Sequence, residues 1–366
     1  MKQTHIENLL NKETLLPADL GELLRTRGED RLLLFAKGAE VKKQYVGNVV
    51  YFRGLIEYGN LCRKNCYYCG IRKDNTCTGR YTMTDEEVID AARFAFREGY
   101  ASLVLQSGEL MSKSHRQQIT RLLQMINHAT EGKMGITLSL GEQDMETLAE
   151  WRNAGARRYL LRIETSNPHL YSRLHPQDAQ HDFKQRIETL KMLKNLDYQV
   201  GTGVMIGLPF QTIEDLANDL CFFRDYDIDM IGMGPYIEHE HTPLYAYRQS
   251  LLPQAERFDL GLKMIALARI MMKDINIAAT TAMQAIDKMG REKALKVGAN
   301  VMMPNLTPQK YRENYLLYQD KPCTDEEAEQ CKKCLEIRVK LAGDQIGYKE
   351  WGDSKHYANR IKRKTD

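Results

Sequence analysis

Hydrophobic and polar positions alternate between two patterns along most of the chain. Short apolar runs, typical of buried strands, are each followed by stretches whose apolar residues recur every three or four positions, as in amphipathic helices. The strand candidates are 49–58, 101–108, 135–141, 158–164, 199–207, 229–237, 276–282 and 299–304. Eight strands alternating with helices over roughly 260 residues predict an α/β fold, the (β/α)8 TIM barrel. A doubly wound sheet would need a glycine-rich dinucleotide turn after its first strand, which this sequence lacks.

The segments on either side of the repeating pattern differ from it. Residues 1–47 show helical apolar spacing and predict an N-terminal helical segment. Residues 48–310 form the predicted barrel, and residues 311–366 a C-terminal extension that carries cysteines and ends in a basic run. The simplest interpretation of that run is a solvated helix or tail.

Composition restricts the class of protein. The 366 residues are 43% hydrophobic and 28% charged, with a formal net charge of +3. That balance gives no electrostatic reason to expect nucleic acid or an anionic membrane as partner, and no apolar run is long enough for a membrane helix. The N-terminus lacks the pattern of a signal peptide, so we expect a cytoplasmic protein with a small-molecule substrate. Its eight cysteines are then unlikely to form disulfides.

Three cysteines, Cys62, Cys66 and Cys69, follow the first strand candidate, where a barrel places its catalytic loops. Three thiolates match three corners of a [4Fe-4S] cluster, which leaves the fourth iron open. An open iron can chelate the amino and carboxylate groups of an adenosyl cofactor and pass one electron to it. Arg63 and Lys64 would offset the negative charge of the cluster. The alternative is a zinc site completed by Cys77 or a histidine.

A second group, Cys323, Cys331 and Cys334, follows the last strand candidate. A CxxC pair with one further thiol suits either zinc or a second iron–sulfur cluster. If both cysteine groups only stored or passed on metal and electrons, the chain would be a non-catalytic iron–sulfur carrier or scaffold.

The segment CRKNCYYCG at 62–70 resembles the CxxxCxxC signature of radical S-adenosylmethionine enzymes. Further segments, including LVLQSGE, RYLLRIETSNP, MIGLPFQTIEDL and GANVMMPNLTP, extend the resemblance over residues 48–352 to the HydE family of [FeFe]-hydrogenase maturases. The resemblance implies reductive cleavage of S-adenosylmethionine to a 5′-deoxyadenosyl radical that acts on a cysteine-bound iron carbonyl–cyanide complex. It also implies an electron donor and other hydrogenase maturases as partners. Methylornithine synthase and biotin synthase share the barrel and are alternatives, although Cys221 is the only cysteine left to hold a sulfur-donating cluster.

The same resemblance implies roles for individual residues. Those matching cofactor-binding positions are Ser107, Gly108, Glu109, Glu164, Arg186 and Tyr315. Those matching the substrate cavity are Arg158, Arg162, Thr280, Thr281, Ala282 and Met303. Two arginines four apart on a strand suit an anionic ligand, but either arginine could instead form a structural ion pair inside the barrel with Glu57 or Glu164.

Overall fold

The computed structural model describes residues 4–325 and 327–365. Its α-helices are α1 His5–Leu10, α2 Pro17–Arg25, α3 Gly28–Tyr45, α4 Asp85–Arg97, α5 Lys113–Ala129, α6 Met145–Asn153, α7 Pro168–Leu174, α8 Phe183–Asn195, α9 Ile213–Asp225, α10 Gln254–Met271, α11 Thr281–Ile286, α12 Gly290–Val297, α13 Gln309–Arg312, α14 Ala328–Ala342 and α15 Lys355–Thr365. Its strands are β1 Val49–Phe52, β2 Gly54–Gly59, β3 Ser102–Ser107, β4 Gly135–Ser139, β5 Ala156–Leu160, β6 Gln199–Thr202, β7 Met205–Ile206, β8 Met230–Ile231, β9 Gly234–Pro235, β10 Asn276–Ile277, β11 Val301–Met302 and β12 Gln345–Ile346. Short 3-10 helices span Ala179–His181 and Pro243–Ser250.

Parallel strands form a closed barrel. Seven of them hydrogen-bond in the order β10-β8-β6-β5-β4-β3-β2. The segment around β11 joins the two edges, since Ala279 N donates to Val301 O at 2.9 Å and Leu55 N donates to Pro304 O at 2.7 Å. Within the described residues this gives the eight-stranded (β/α)8 barrel, which confirms the predicted fold class.

The outer helices begin at polar caps and turn one apolar face to the barrel. Thr84 and Glu87 form a capping box at the start of α4, which satisfies backbone donors that have no partner within the helix. On the same helix Val88, Ala92 and Ala95 are buried, the spacing of a single helical face. The seventh strand is shorter than predicted because the chain enters α11 at Thr281, so Thr280 and Thr281 lie at the start of a helix.

The C-terminal segment fills the amino-terminal end of the barrel. Asn276 Nδ2 and Arg53 Nη2 donate to Gly352 O at 2.8 and 3.1 Å, and Gln199 Nε2 donates to Asp353 at 2.9 Å. These donors lie where strands begin, so residues 352–354 form the floor of the barrel. β12 adds to the edge of β1, a pairing that the sequence pattern did not predict.

The basic run at the C-terminus forms α15, and this helix is docked on the barrel. Arg360 pairs with Asp229 at 2.7 Å, and His356 pairs with Asp227 at 2.6 Å. Of the two predicted forms, a solvated helix or a tail, the structure shows a helix, and its half-buried face is packed on the barrel. No helix among the described residues is long and apolar enough to cross a membrane.

Candidate functional site

The loop that carries Cys62, Cys66 and Cys69 follows β2 at the carboxyl end of the barrel. Asn60 ties it to later segments, since its Nδ2 donates to Gly79 O at 2.7 Å and to Asn314 O at 2.6 Å. One guanidinium holds the remainder of the loop together. Arg80 donates to five backbone carbonyls at 2.6–3.2 Å, those of Asn60, Ile71, Arg72, Lys73 and Asn75.

The three thiols of this loop are close enough to act on one another electrostatically. Burial raises the pKa of Cys62, raises the pKa of Cys66 to about 12 and raises that of Cys69 well above its usual range, with the neighbouring thiols adding to the shifts of Cys66 and Cys69. Deprotonation therefore needs a cation in the same place, and iron supplies one. Three half-buried cysteines on a single loop fit the three-cysteine set of an open [4Fe-4S] cluster.

The predicted Ser107–Gly108–Glu109 turn lies directly against the cysteine loop. Glu109 N donates to Cys62 Sγ at 3.4 Å, and Arg63 N donates to Glu109 O at 2.9 Å. A Cβ atom on Gly108 would lie 2.2 Å from Leu61 O, closer than real Cβ contacts. Glycine is therefore required for this close approach.

Charges beside the turn are paired in a buried network. Lys64 Nζ lies 2.9 Å from Glu142 and 3.4 Å from Glu109, and Arg63 lies 3.0 Å from Glu109. Arg186, from α8, pairs with Glu142 at 2.8 Å and lies 3.7 Å from Glu109. Burial raises the pKa of Cys62 and Cys66, and the charge of Lys64 partly opposes that rise. Nearby carboxylates neutralise part of the charge of Arg63 and Lys64, and the role of these two cations beside a cluster stays a prediction. The three cations and two carboxylates leave one positive charge.

Arg162 and Glu164 form a second pair at the same end of the barrel. Arg162 Nη2 lies 2.9 Å from Glu164 and also donates to Val204 O at 3.0 Å. Its Nε donates to Glu164, and its Nη1 donates to Gly232 O at 2.7 Å. Arg186 Nη1 donates to Arg162 O at 3.1 Å, which connects this pair to the network beside the turn. Glu164 adopts a φ of 64°, an uncommon conformation outside glycine.

Arg158 lies at the opposite end of the barrel from Arg162. Its guanidinium donates to Ser102 Oγ at 2.8 Å and to Trp351 O at 2.8 Å, and it pairs at 2.5 Å with Asp353 in the floor. The side chain is fully buried. The two arginines therefore do not line one upper cavity. The ion-pair alternative describes Arg158 better, with Asp353 as partner instead of Glu57 or Glu164.

Residues 313–321 cover the upper end of the barrel, and we call them the cover segment. Lys321 forms a buried ion pair with Glu57 and donates to Tyr315 O at 3.0 Å. Leu317 O accepts from Gly70 N at 3.0 Å, next to the cysteine loop. Tyr315 is buried and lies near Cys69, as its cofactor assignment requires.

The remaining predicted substrate residues lie below or beside the cover segment. Tyr318 OH donates to Thr281 Oγ1 at 2.6 Å, and Thr280 Oγ1 donates to Met233 O at 3.3 Å. Ala282 is buried, and Met303 is half-buried directly after β11. Thr280 and Arg162 thus both contact the segment 232–233.

The second cysteine group lies at α14 and in the loop before it. Cys331 is buried in the main hydrophobic core with Leu335, whereas Cys334 Sγ accepts from Arg338 Nε at 3.4 Å. Cys323 has a φ of 66°, and its carbonyl accepts from Arg312 at 3.1 Å. Among the described residues, no three Cys, His, Asp or Glu side chains are grouped to hold a single metal ion, either at this second group or at the loop of Cys62, Cys66 and Cys69. A metal centre at this second group stays a prediction.

Sequence reasoning missed three residues that shape the site. Arg80 belongs to no motif, and Glu142 received no role although it ends the segment TLSLGE, which also resembles the family. Lys321 pairs with Glu57 across 264 positions, so no local signal could reveal it. A buried position for Glu57 was the one available hint, because a carboxylate near a strand end inside a barrel requires a partner.

Comparisons with known proteins show which family this chain resembles in sequence and fold. A family model described as the radical SAM superfamily matches residues 56–222. The [FeFe] hydrogenase maturase subunit HydE of Thermotoga maritima is 44% identical over 322 residues, 88% of each chain. The 3-methylornithine synthase of Methanosarcina acetivorans is 27% identical over 299 residues, 81% of each chain. The crystal structure of methylornithine synthase (PylB) superimposes with a TM-score of 0.77 at 22% identity, covering 94% of this chain and 98% of that one.

Proposed function

This chain belongs to the HydE family of [FeFe]-hydrogenase maturases within the radical S-adenosylmethionine superfamily, and from this membership we propose its reaction and its substrate. The reaction is reductive cleavage of S-adenosylmethionine, and the 5′-deoxyadenosyl radical then attacks a cysteine-bound iron carbonyl–cyanide substrate in the barrel. One observation carries this proposal. The cysteine loop, the Ser107–Glu109 turn and the Arg162–Glu164 pair are joined into one unit by hydrogen bonds and by the ion pair of Arg186 with Glu109, at the carboxyl end of the barrel.

Membership of the superfamily implies a [4Fe-4S] cluster and S-adenosylmethionine. When bound by Cys62, Cys66 and Cys69, such a cluster supplies the electron for cofactor cleavage. The turn contributes acceptors for the ammonium of the cofactor, since backbone carbonyls keep a second lone pair when they already accept one hydrogen bond. Arg186 contributes a cation for the carboxylate, and Glu164 and Tyr315 border the same space.

The barrel contributes protection of the radical from water and stray thiols. Residues 352–354 fill the floor, and the cover segment lies over the opposite end with its Lys321–Glu57 ion pair buried. A closed, dry interior limits side reactions of a reactive intermediate. Access for the substrate then requires the cover segment or a neighbouring loop to move.

Two partner classes follow from the proposed reaction. An electron donor must reach the cysteine loop, and other hydrogenase maturases must supply the iron complex or accept the product. The higher identity to HydE than to methylornithine synthase favours the iron complex over an amino-acid substrate.

The test compares three variants with the wild type after anaerobic reconstitution with iron and sulfide. Cys66→Ala removes a cluster ligand, whereas Cys77→Ala removes an exposed thiol outside the proposed set and serves as the matched control. Thr280→Val alters the predicted substrate cavity without a change of charge. Chromatography measures 5′-deoxyadenosine, and infrared bands of the carbonyl and cyanide ligands report conversion of the iron complex.

We expect the wild type and Cys77→Ala to cleave the cofactor and convert the complex, and Cys66→Ala to do neither. Thr280→Val should cleave the cofactor but bind the complex several-fold more weakly, since one hydroxyl contact is worth about 1 kcal/mol. Cleavage by Cys66→Ala would overturn the assignment of the cysteine loop. Cleavage without conversion of the complex, together with turnover of the methylornithine synthase or biotin synthase substrate, would overturn the proposed substrate.

A further inference from the structure

A short segment at the end of α7 and after it holds the middle of the cysteine loop, and we call residues 174–181 the clasp segment. Leu174 O accepts from Tyr67 N at 2.9 Å, and the ring nitrogen Nε2 of His181 accepts from Asn65 N at 2.9 Å. Cys66 lies between these two loop residues. The clasp segment therefore fixes the backbone on both sides of this cysteine.

Side chains add two further contacts between the clasp segment and the loop. Lys64 Nζ donates to Gln180 O, and the hydroxyl of Tyr68 lies 3.3 Å from His175 Nε2. His175 is itself held, since its Nδ1 lies 2.8 Å from Tyr171 O and its ring stacks on that of Tyr171 with 3.9 Å between the ring centroids. Residues 64, 65, 67 and 68 of the loop thus all contact this one segment or its side chains.

The hydrogen bonds of His181 determine which of its ring nitrogens carries a hydrogen. A backbone amide can only donate, so Nε2, which accepts from Asn65 N, is unprotonated. Nδ1 then carries the hydrogen and donates to Asp178 Oδ1 at 2.7 Å. The same carboxylate oxygen accepts from Gln180 N at 2.9 Å and caps the 3-10 helix Ala179–His181. His181 is therefore a neutral imidazole whose orientation is set by a carboxylate that is itself fixed.

The position of this imidazole relates it to the cysteine loop more than to the core. His181 is only 5% exposed, and its single acceptor atom is used by the amide of the residue that precedes Cys66. Distances from a metal to its ligands vary by only about 0.2 Å between sites. A cysteine that is to bind a cluster therefore benefits from a backbone that is held in place before the metal arrives.

We propose that His181 is a positioning residue for Cys66, which it holds through the amide of Asn65 as a neutral hydrogen-bond acceptor. Asp178 is a second positioning residue, because it keeps the acceptor nitrogen of the imidazole turned to the loop. The use of this arrangement to hold Cys66 for a [4Fe-4S] cluster rests on the proposed function. The hydrogen-bonded arrangement itself does not depend on a cluster.

The variants separate the acceptor atom from the bulk of the ring. His181→Leu removes the acceptor, whereas His181→Gln keeps one, because the glutamine Oε1 lies as many bonds from Cα as the imidazole Nε2 does. Asp178→Ala removes the partner that fixes the tautomer. His169→Leu is the matched control, because it removes an exposed histidine from α7.

The first measurement needs no cluster. Nitrogen-15 chemical shifts of the histidine rings in the full-length apoprotein report which ring nitrogen is protonated. We expect the hydrogen on Nδ1 of His181 in the wild type, and a mixture of the two tautomers in Asp178→Ala. A hydrogen on Nε2 of His181 in the wild type would overturn the inference, because that nitrogen could then not accept from Asn65 N.

The second measurement is the rate at which iodoacetamide alkylates Cys66 in the apoprotein, followed by mass spectrometry, with the exposed Cys77 as internal reference. We expect His181→Leu to react at least about fivefold faster at Cys66, the factor that corresponds to one lost hydrogen bond. Cys77 should react at the same rate in all variants. At Cys66, His181→Gln and His169→Leu should react like the wild type.

Two results of the alkylation experiment would overturn the inference. One is an equal Cys66 rate in His181→Leu and the wild type. The other is equal acceleration in His181→Leu and His181→Gln, which would show that the bulk of the ring and not its acceptor atom holds the loop. If His181→Leu does not fold, Asp178→Ala takes its place, and an unchanged Cys66 rate in that variant would overturn the inference as well.

A third measurement, on the reconstituted protein, separates this inference from the proposed function. Loss of the cluster to a chelator should be several-fold faster in His181→Leu than in the wild type and His181→Gln. If the wild type shows the expected tautomer and the variants the expected alkylation rates, but no sample forms 5′-deoxyadenosine, the proposed function is wrong and the positioning of Cys66 stands. If all variants are alkylated alike and cleave the cofactor alike, the positioning role is wrong and the proposed function stands.

Discussion

Replacement of Gly108 by alanine tests whether the turn and the cysteine loop act as one unit. The new Cβ would lie 2.2 Å from Leu61 O and 2.8 Å from the Cβ of Cys62, whereas ordinary contacts begin at 3.4 Å. The turn and the loop must then separate by about 1.2 Å, the difference between those distances to Leu61. Since a displacement of about 1 Å at a reacting centre can cost roughly 10²-fold in rate, we expect 5′-deoxyadenosine formation to fall by about two orders of magnitude.

The assay measures that rate at saturating cofactor, together with iron content and the free energy of unfolding. Gly232→Ala is the matched control, because its Cβ would lie 3.8 Å from the nearest atom, an ordinary contact. Overpacking at Gly108 should also cost about 1–3 kcal/mol of stability. A Gly108→Ala protein with wild-type iron content and cleavage rate would refute the geometric reasoning about this turn.

Further predictions concern the parts that support the site. Arg158→Met should lower the free energy of unfolding by roughly 3 kcal/mol or less, since it leaves a partly exposed Asp353 unpaired. Cofactor cleavage by the folded protein should be unchanged. Loss of cleavage with full stability would instead assign Arg158 to the functional site. The hydrogen bond to Asp227 raises the pKa of His356 to about 9, so its stabilisation should be complete below pH about 6.5 and lost as pH rises through about 9. The full shift corresponds to roughly 3 kcal/mol, and solvent screening of the 42% exposed Asp227 should reduce the observed change below that. Urea titrations of wild type and His356→Gln at several pH values measure it, and parallel pH profiles would contradict it. Arg80→Met should reduce the iron bound per chain after reconstitution, because five carbonyls of the cysteine loop lose their common donor; unchanged iron content would show that the loop needs no such donor.

The barrel could be predicted from the sequence because its determinants are local. Each strand candidate is a short apolar run, and the helices between them carry caps such as Thr84 with Glu87. The cysteine loop was equally accessible, since its three cysteines lie within eight positions and sequence spacing alone places them together.

The rest of the site depends on contacts between distant parts of the chain. Residues 352–354 build the floor of the barrel, so the sequence around Arg158 gave no indication that Asp353 would form an ion pair with this arginine. The cover segment reaches the first strand through Lys321 and Glu57 in the same way. The hydrophobic periodicity wrongly predicted that Thr280 and Thr281 belong to a strand, because a pair of β-branched residues after an apolar run is typical of strands. In the structure α11 begins at these residues.

The most direct test of the central claim is the electron paramagnetic resonance spectrum of the reduced, reconstituted protein with and without S-adenosylmethionine. If Cys62, Cys66 and Cys69 hold a cluster with an open iron, addition of the cofactor must change the spectrum, and the Cys66→Ala protein must lack that change. A reducible cluster whose spectrum is the same with and without the cofactor would contradict the account and favour an iron–sulfur carrier.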